Sequence, residues 1–372
     1  MMVPKLRFSK FSQKWTKIRL GNYLQNYQKK VPSDTDIPVY SSSRQGLKPQ
    51  SEYFADRELQ NDGEYSVVPF GYITYRHMSD DNTFHFNIND KLPEIAVSKE
   101  YPVFTGKGLN NYFLLSKLNY SNEFKLFAIQ QKAGGTRTRL YFKNLSEWRG
   151  TFPDLEEQAQ IADFLSSADE KITLLNKQYD LICQYKKGMM QKIFSQKVRF
   201  KDENGEEFPG WDRKFIGNIL TIGSGRDYKH LNDGNVPVFG TGGFMTMVDQ
   251  FLFEGETVCI GRKGTIDKPF YYNGKIWTVD TLFYTYEFKG VHPKFVYQLF
   301  LTINWKEYNE ASGVPSLSKK TIEKIEVNIP CLSEQKKISR FLSALDDKIA
   351  VKKAELDKLK TWKQGLLQQM FV

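Results

Sequence analysis

Apolar residues return every three or four positions along two long stretches of the chain. Across residues 152–195 the seam is Ile161, Leu165, Ala168, Ile172, Leu175, Tyr179, Ile182, Met189 and Ile193, interrupted by Lys186. Across residues 329–372 it is Ile338, Leu342, Leu345, Ile349, Leu356, Leu359, Leu366 and Met370, interrupted by Lys352. A 3.5-residue repeat sustained this far predicts coiled-coil helices rather than helices laid on a globular core. About 40 residues at 1.5 Å each make a rod of roughly 60 Å. Two such rods in one chain most simply pair with each other. The alternative, two amphipathic core helices in separate domains, is weakened by their length.

The rods are copies. At an offset of 177 they align without a gap, with 16 identities in 44 positions, among them Pro153/Pro330, Asp169/Asp346 and Gly188/Gly365. The repeat extends outside them. Leu6-Arg7-Phe8 and Trp15 recur as Val198-Arg199-Phe200 and Trp211, and Ile37-Pro38-Val39-Tyr40 recurs as Val236-Pro237-Val238-Phe239. The chain is therefore a tandem duplication, with similar ends and divergent middles. The expected division is a globular part at 1–151, a helical segment at 152–197, a second globular part at 198–328 and a second helical segment at 329–372.

Both globular parts predict as α+β. In the first, Glu64 to Pro69, Glu94 to Ser98 and Tyr101 to Phe104 read as strands, and Asn122 to Gln131 as a helix ending at Gly134-Gly135. In the second, Glu256 to Ile260 and Leu282 to Phe288 read as strands, and Phe270 to Trp277 as a hairpin pivoting on Asn273-Gly274. Pro293 to Leu301 reads as a helix, and Ile325, Val327 and Ile329 as a last strand.

Charge changes this picture for one half only. The net charge of +10 suggests a polyanionic partner. Residues 1–150 carry 22 basic and 14 acidic groups, whereas residues 201–328 carry 15 and 17. Three widely spaced cysteines (Cys183, Cys259, Cys331) suggest neither a disulfide framework nor a zinc site. No apolar leader or 18-residue apolar run is present, so a cytoplasmic protein without a membrane segment is expected.

No catalytic centre is expected. Pro153-Asp154 followed by Asp169-Glu170-Lys171 fits a metal-nuclease spacing, but the second copy has Cys331 in place of Asp154, and both acidic triplets fall in helices. These charges read better as a solvated helix face. Gly240-Thr241-Gly242-Gly243 lacks the Gly-Lys-Ser/Thr that a phosphate loop needs. No Asn/Asp-Pro-Pro-aromatic tetrapeptide of an adenine methyltransferase occurs, and no metal site is suggested. Recognition chemistry remains. Loops rich in arginine, small hydroxyls and glycine suit guanine edges and phosphates. The candidate DNA contacts are Ser41, Ser42, Ser43, Arg44, Tyr75, Arg76, His77, Arg137 and Arg139 in the first part. In the second they are Thr241, Gly242, Arg262, Lys263, Thr265, Ser316 and Lys319.

The whole frame resembles the DNA-specificity subunit of type I restriction-modification enzymes. The motif P-x-L-x-E-Q-x-x-I-x-x-F-L is present as Pro153, Leu155, Glu157, Gln158, Ile161, Phe164, Leu165 and again as Pro330, Leu332, Glu334, Gln335, Ile338, Phe341, Leu342. Tyr75 to Asp80 is also similar to a stretch in some of that family's recognition domains. The resemblance implies two target recognition domains on an antiparallel coiled coil, reading a bipartite double-stranded DNA site. It implies docking of modification subunits, two of them, on the helices, with Glu157, Gln158, Phe164, Leu165, Glu334, Gln335, Phe341 and Leu342 as candidate contacts. S-adenosylmethionine, ATP and magnesium would then be bound by the modification and restriction subunits, and this chain would hold no cofactor. A type IIG or solitary modification system is the near alternative. A coiled-coil scaffold that binds no DNA is the distant one, favoured by the acidic second part.

Overall fold

Each heptad stretch folds as one helix, α1 (Leu155–Phe194) and α2 (Leu332–Met370). The computed structural model describes residues 4–54, 63–132 and 137–371. The Gly134-Gly135 turn expected after the Asn122 helix lies outside them. The chain divides into two units, residues 1–176 with 355–372, and residues 177–354. The division falls inside both helices, so the structural units do not follow the linear segments. The reason is packing: the two ends of each helix enter different cores.

In the first unit, Ile161 and Leu165 of α1 and Leu366, Leu367, Met370 and Phe371 at the end of α2 share one core with Phe104, Phe113, Phe124 and Trp148. The helices run antiparallel there. Phe164 meets Trp362 at 5.8 Å between ring centroids, Lys363 pairs with Asp169, and Lys360 reaches Asn176 at 3.5 Å. In the second unit, Ile338, Leu342 and Leu345 of α2 share a core with Met189, Met190, Ile193 and Phe194 of α1. Lys186 binds Asp346 at 2.5 Å. At an offset of 177, Asp346 with Lys186 is the counterpart of Asp169 with Lys363. The acidic residues expected on a solvated face thus pair across the two helices. Asp154 is a helix cap: its Oδ1 accepts the Glu157 N–H at 2.8 Å.

Around this frame the first unit places Thr16–Arg19 against Arg149–Phe152, and a four-stranded sheet of Leu24–Asn26, Val103–Gly106, Ile73–Tyr75 and Phe86–Ile88. A hairpin, Tyr40–Ser43 with Gly46–Pro49, and a short pair, Met78–Ser79 with Thr138–Arg139, stand beside it. The Asn122 helix forms as expected (Asn122–Gln130), preceded by an unforeseen one, Asn111–Tyr120, capped by the Asn110 side chain.

The second unit repeats the base as Asp212–Phe215 against Glu326–Ile329, then builds one six-stranded sheet. The expected hairpin at Asn273-Gly274 is not there. Phe270–Thr278 is a single strand lying antiparallel to Phe253–Gly261, with Gly274 opposite Gly255. Both glycines have left-handed φ, +135° and +134°, so the strands bend together where no side chain obstructs them. Burial of Ile276 and Trp277 outweighs the local turn signal.

Candidate nucleic-acid interface

Each unit carries a cleft lined by loops that bear cationic side chains. In the first unit a cleft of about 320 Å³ is lined by Ser42, Ser43, Arg44, Arg76, Ser79, Asp80 and His85, with Lys48 and Tyr53 at its border. The turn at residues 79–83 is its fixed point. Asp81 Oδ1 accepts from Ser79 Oγ at 2.8 Å, Thr83 N at 3.1 Å and Thr83 Oγ1 at 2.6 Å. Those hydrogen bonds, led by the Thr83 hydroxyl, hold the Asp81 carboxyl well below the usual carboxylate range. Arg44 pairs with its other oxygen, and Arg137 Nε donates to Asp80 Oδ1 at 2.8 Å.

Several candidates are buried. Tyr75 is fully buried and donates to the Leu140 carbonyl at 2.9 Å, so it supports the cleft without facing it. His77 is buried against Tyr141, and burial lowers its pKa. Ser41 and Ser42 are buried, and Ser42 Oγ accepts from Asn87 Nδ2 at 2.7 Å. Arg76, Arg137 and Arg139 point outward. Sequence reasoning missed Asp80 and Asp81 as partners of the arginines. The adjacent acids were visible, but not which loops would converge on them.

The second unit's cleft, about 650 Å³, is lined by Arg262, Lys263, Ser316 and Lys319, with Asp280 and Glu310 among them. The Lys263 and Ser316 backbones bridge, and Leu317 N donates to the Arg262 carbonyl at 2.8 Å, so two distant loops meet. Arg262 Nη1 donates to the Asp280 carbonyl at 3.2 Å. Thr241 and Gly242 form the turn between the strands Val236–Gly240 and Gly243–Val248. The Thr241 hydroxyl lies 3.5 Å from where a Cβ on Gly264 would stand, which brings that turn beside the Arg262 loop. Thr265 is half-buried in the same loop.

Most of the helix motif is internal. Glu157 is 0% exposed, and Arg7 Nε and Nη2 donate to its two oxygens at 2.6 and 2.7 Å. That hydrogen bonding raises the Arg7 pKa. Glu334, also 0% exposed, receives Arg199 Nε and Nη2 at 3.1 and 2.6 Å. Gln158 accepts from Asn110 N and donates to the Pro153 carbonyl. Gln335 does the same with His292 N and Pro330. Leu165 and Leu342 are buried, and Phe164 and Phe341 pack against Phe8 and Phe200. These eight side chains, expected to face partners, are occupied in tying each domain to its helix. Exposed apolar side chains recur instead at Leu155/Leu332, Leu174/Val351 and Tyr185/Trp362, again at an offset of 177.

Among the described residues no group of three His, Cys, Asp or Glu could hold a metal ion, and no helix is long and apolar enough to cross a membrane. The type I restriction modification DNA specificity domain matches residues 17–184 and 209–361. A Methanocaldococcus jannaschii protein, assigned as the type I restriction enzyme MjaX specificity subunit, is 26% identical over 83% of this chain and 84% of its own. The MjaVIII specificity subunit of the same organism is 22% identical over 67% of this chain and 68% of its own. The crystal structure of a type I restriction-modification S subunit from M. genitalium superposes with a TM-score of 0.68 at 17% identity, covering 100% of this chain and 99% of that one. A chain from a structure of type I complex assembly and conformational transition superposes at 0.54, with 14% identity and 97% and 98% coverage.

Proposed function

The chain belongs to the type I restriction-modification DNA-specificity family, and from that premise we propose that its two clefts read the two halves of a bipartite duplex site. It is a DNA-binding specificity subunit that assembles with other subunits. The observation that carries the two-reader proposal is a repeated frame with unrepeated clefts. The Arg7–Glu157 and Arg199–Glu334 pairs are equivalent, whereas the clefts present different loops and different charges. Such a frame holds two readers alike and lets each read a different sequence. Arg44, Arg76, Arg137, Arg262, Lys263 and Lys319 supply the cationic donors that base edges and phosphates require.

Two modification subunits dock, one per unit. Leu155, Leu174 and Trp362 in the first unit and Leu332, Val351 and Tyr185 in the second offer the same exposed apolar set twice, and solvent-exposed repetition of this kind suits two copies of one partner. Adenine methylation, with S-adenosylmethionine, is the work of those subunits, and ATP and magnesium serve the restriction subunits. This chain lacks the tetrapeptide that grips a flipped adenine.

The test is exchange of residues 213–328 for those of another family member in the complete enzyme, followed by mapping of methylated adenines across a genome. One half-site should change and the other should stay. A change in both halves would overturn the two-reader arrangement.

A further inference from the structure

Asp80 and Asp81 are misplaced for a surface that only has to attract a polyanion. They are adjacent, Asp80 lines the cleft of the first unit, and their side chains are 65% and 44% exposed. Each holds one arginine, and the two arginines arrive from separate loops. Arg44 stands at the tip of the Tyr40–Ser43/Gly46–Pro49 hairpin, and Arg137 directly precedes the strand Thr138–Arg139.

The turn bearing the aspartates is rigid. Three donors fix Asp81, Asn82 takes a left-handed φ of +63°, and the Thr138 hydroxyl donates to the Asn82 side chain. Thr138 also pairs with Ser79 in the sheet. The strand that follows Arg137 is therefore clamped to the turn that carries Asp80. Arg137 is held through Nε, at the near edge of its guanidinium. Its two terminal nitrogens, at the far end, make no hydrogen bond among the described residues.

We propose that Arg137, set by Asp80, reads a guanine in the major groove of the first half-site, with Asp80 as its positioning residue. The inference rests on the family reading of this cleft and assigns a contact at its border, where Asp80 holds Arg137. Two physical points favour a base over a phosphate. A phosphate brought to Arg137 would meet the Asp80 carboxylate beside it and be repelled, whereas a base edge is neutral. The terminal nitrogens of a fixed guanidinium match the N7 and O6 acceptors of guanine, and a carboxylate beside them accepts from the amino group of a neighbouring cytosine. The aspartates also repel the backbone of DNA that offers no such edge. They thus lower non-specific affinity while they aim the arginine.

The experiment uses the complete enzyme with its partner subunits. Methylated sites are mapped for the wild type, Arg137→Ala, Arg137→Lys and Asp80→Asn. Binding is then measured to a duplex carrying the mapped wild-type site and to one with the first half-site scrambled. Both Arg137 variants should relax one guanine position of the first half-site, with about a 10- to 100-fold loss of discrimination there. Asp80→Asn should relax the same position or its neighbour and bind the scrambled duplex several-fold more tightly, a gain that a merely structural role would not produce. A wild-type first half-site without guanine on either strand would overturn the proposal. So would Arg137→Lys with an unchanged motif, which marks a phosphate contact, or Asp80→Asn with weaker binding to scrambled DNA. If the wild type methylates no bipartite site at all, the reading of the cleft itself fails.

Discussion

The two units use one frame to support unlike clefts, and they differ in how each holds its cations. In the first, Arg44 and Arg137 are paired with carboxylates on a single turn. In the second, Arg262 leans on a backbone carbonyl, and Asp280 and Glu310 border the cleft. The frame itself differs in one detail. Trp211 Nε1 donates to Glu334 at 3.2 Å, whereas its counterpart Trp15 is buried with no partner for Nε1 among the described residues. Repetition therefore preserves the buried arginine–glutamate pair but not its surroundings. The support for each helix start can be broken and compared.

The largest effect is expected at that pair. Arg7→Ala leaves a fully buried carboxylate with no side-chain donor and should cost about 3–5 kcal/mol locally. Arg199→Ala leaves Glu334 with the Trp211 donor and should cost less by roughly 1 kcal/mol. Hydrogen exchange at the start of α1 in one variant and of α2 in the other measures both. Equal losses would show that the tryptophan bond contributes nothing to the difference.

Next in size is the proposed docking surface, where the units should behave alike. Leu174→Asp and Val351→Asp place a charge at equivalent exposed positions. Each should weaken binding of one modification subunit by about 2 kcal/mol, roughly 30-fold, and leave the other bound. The mass of the intact assembly reports it directly. If neither variant changes the assembly, partners dock elsewhere.

The frame was legible because duplication preserves what both units need: the seam, the Glu-Gln pair, and the Arg7 and Arg199 positions. Their pairing was not legible, since Arg7 and Glu157 are 150 residues apart and no local pattern joins them. The same limit explains the candidate partner contacts. A motif that recurs identically looks like a docking surface, yet burial inside two equivalent units also keeps it the same. Tyr75 and His77 were chosen for chemistry that their burial denies, with Arg76 alone facing out between them. The Asn273-Gly274 turn failed because cross-strand packing decided the backbone. Arginine-rich loops were recognisable; which carboxylates would hold them depended on three loops meeting in space.

Cleft chemistry comes third. Arg262→Ala should cost about 1–3 kcal/mol of discrimination if the arginine reads a guanine, and it should act on the second half-site only. Mapped methylation decides it. Uniform weakening with an intact motif would make Arg262 a phosphate contact, and the second unit would then read sequence through its other residues.

The smallest expected effect is a difference in acid sensitivity. Burial lowers the pKa of His77 and His85 beside the first cleft, and of His292 in the second unit. Around His85, Arg44 reinforces the lowering and Asp81 opposes it. Around His77, Arg139 and Arg76 reinforce it and Glu100 opposes it. For His292, Lys336, Lys294 and Arg340 reinforce it and Glu256 opposes it. A histidine with a depressed native pKa binds fewer protons folded than unfolded. Its contribution is therefore complete above the ordinary histidine value, near 6.5, and is lost as pH falls toward the depressed one. Asp81 adds nothing in that window. Its native pKa is depressed below the ordinary carboxylate range, so its stabilisation is complete there and fades only at lower pH. Two such histidines beside one cleft and one in the other unit predict that acidification from neutrality toward pH 5 loosens the first unit more. Hydrogen exchange followed across that range at Phe84 to Phe86 and at Val291 to Phe295 should show protection falling faster in the first segment. A His85→Gln variant should narrow the gap. Equal loss in both segments would mean that the two histidines of the first unit contribute no more than the one in the second unit.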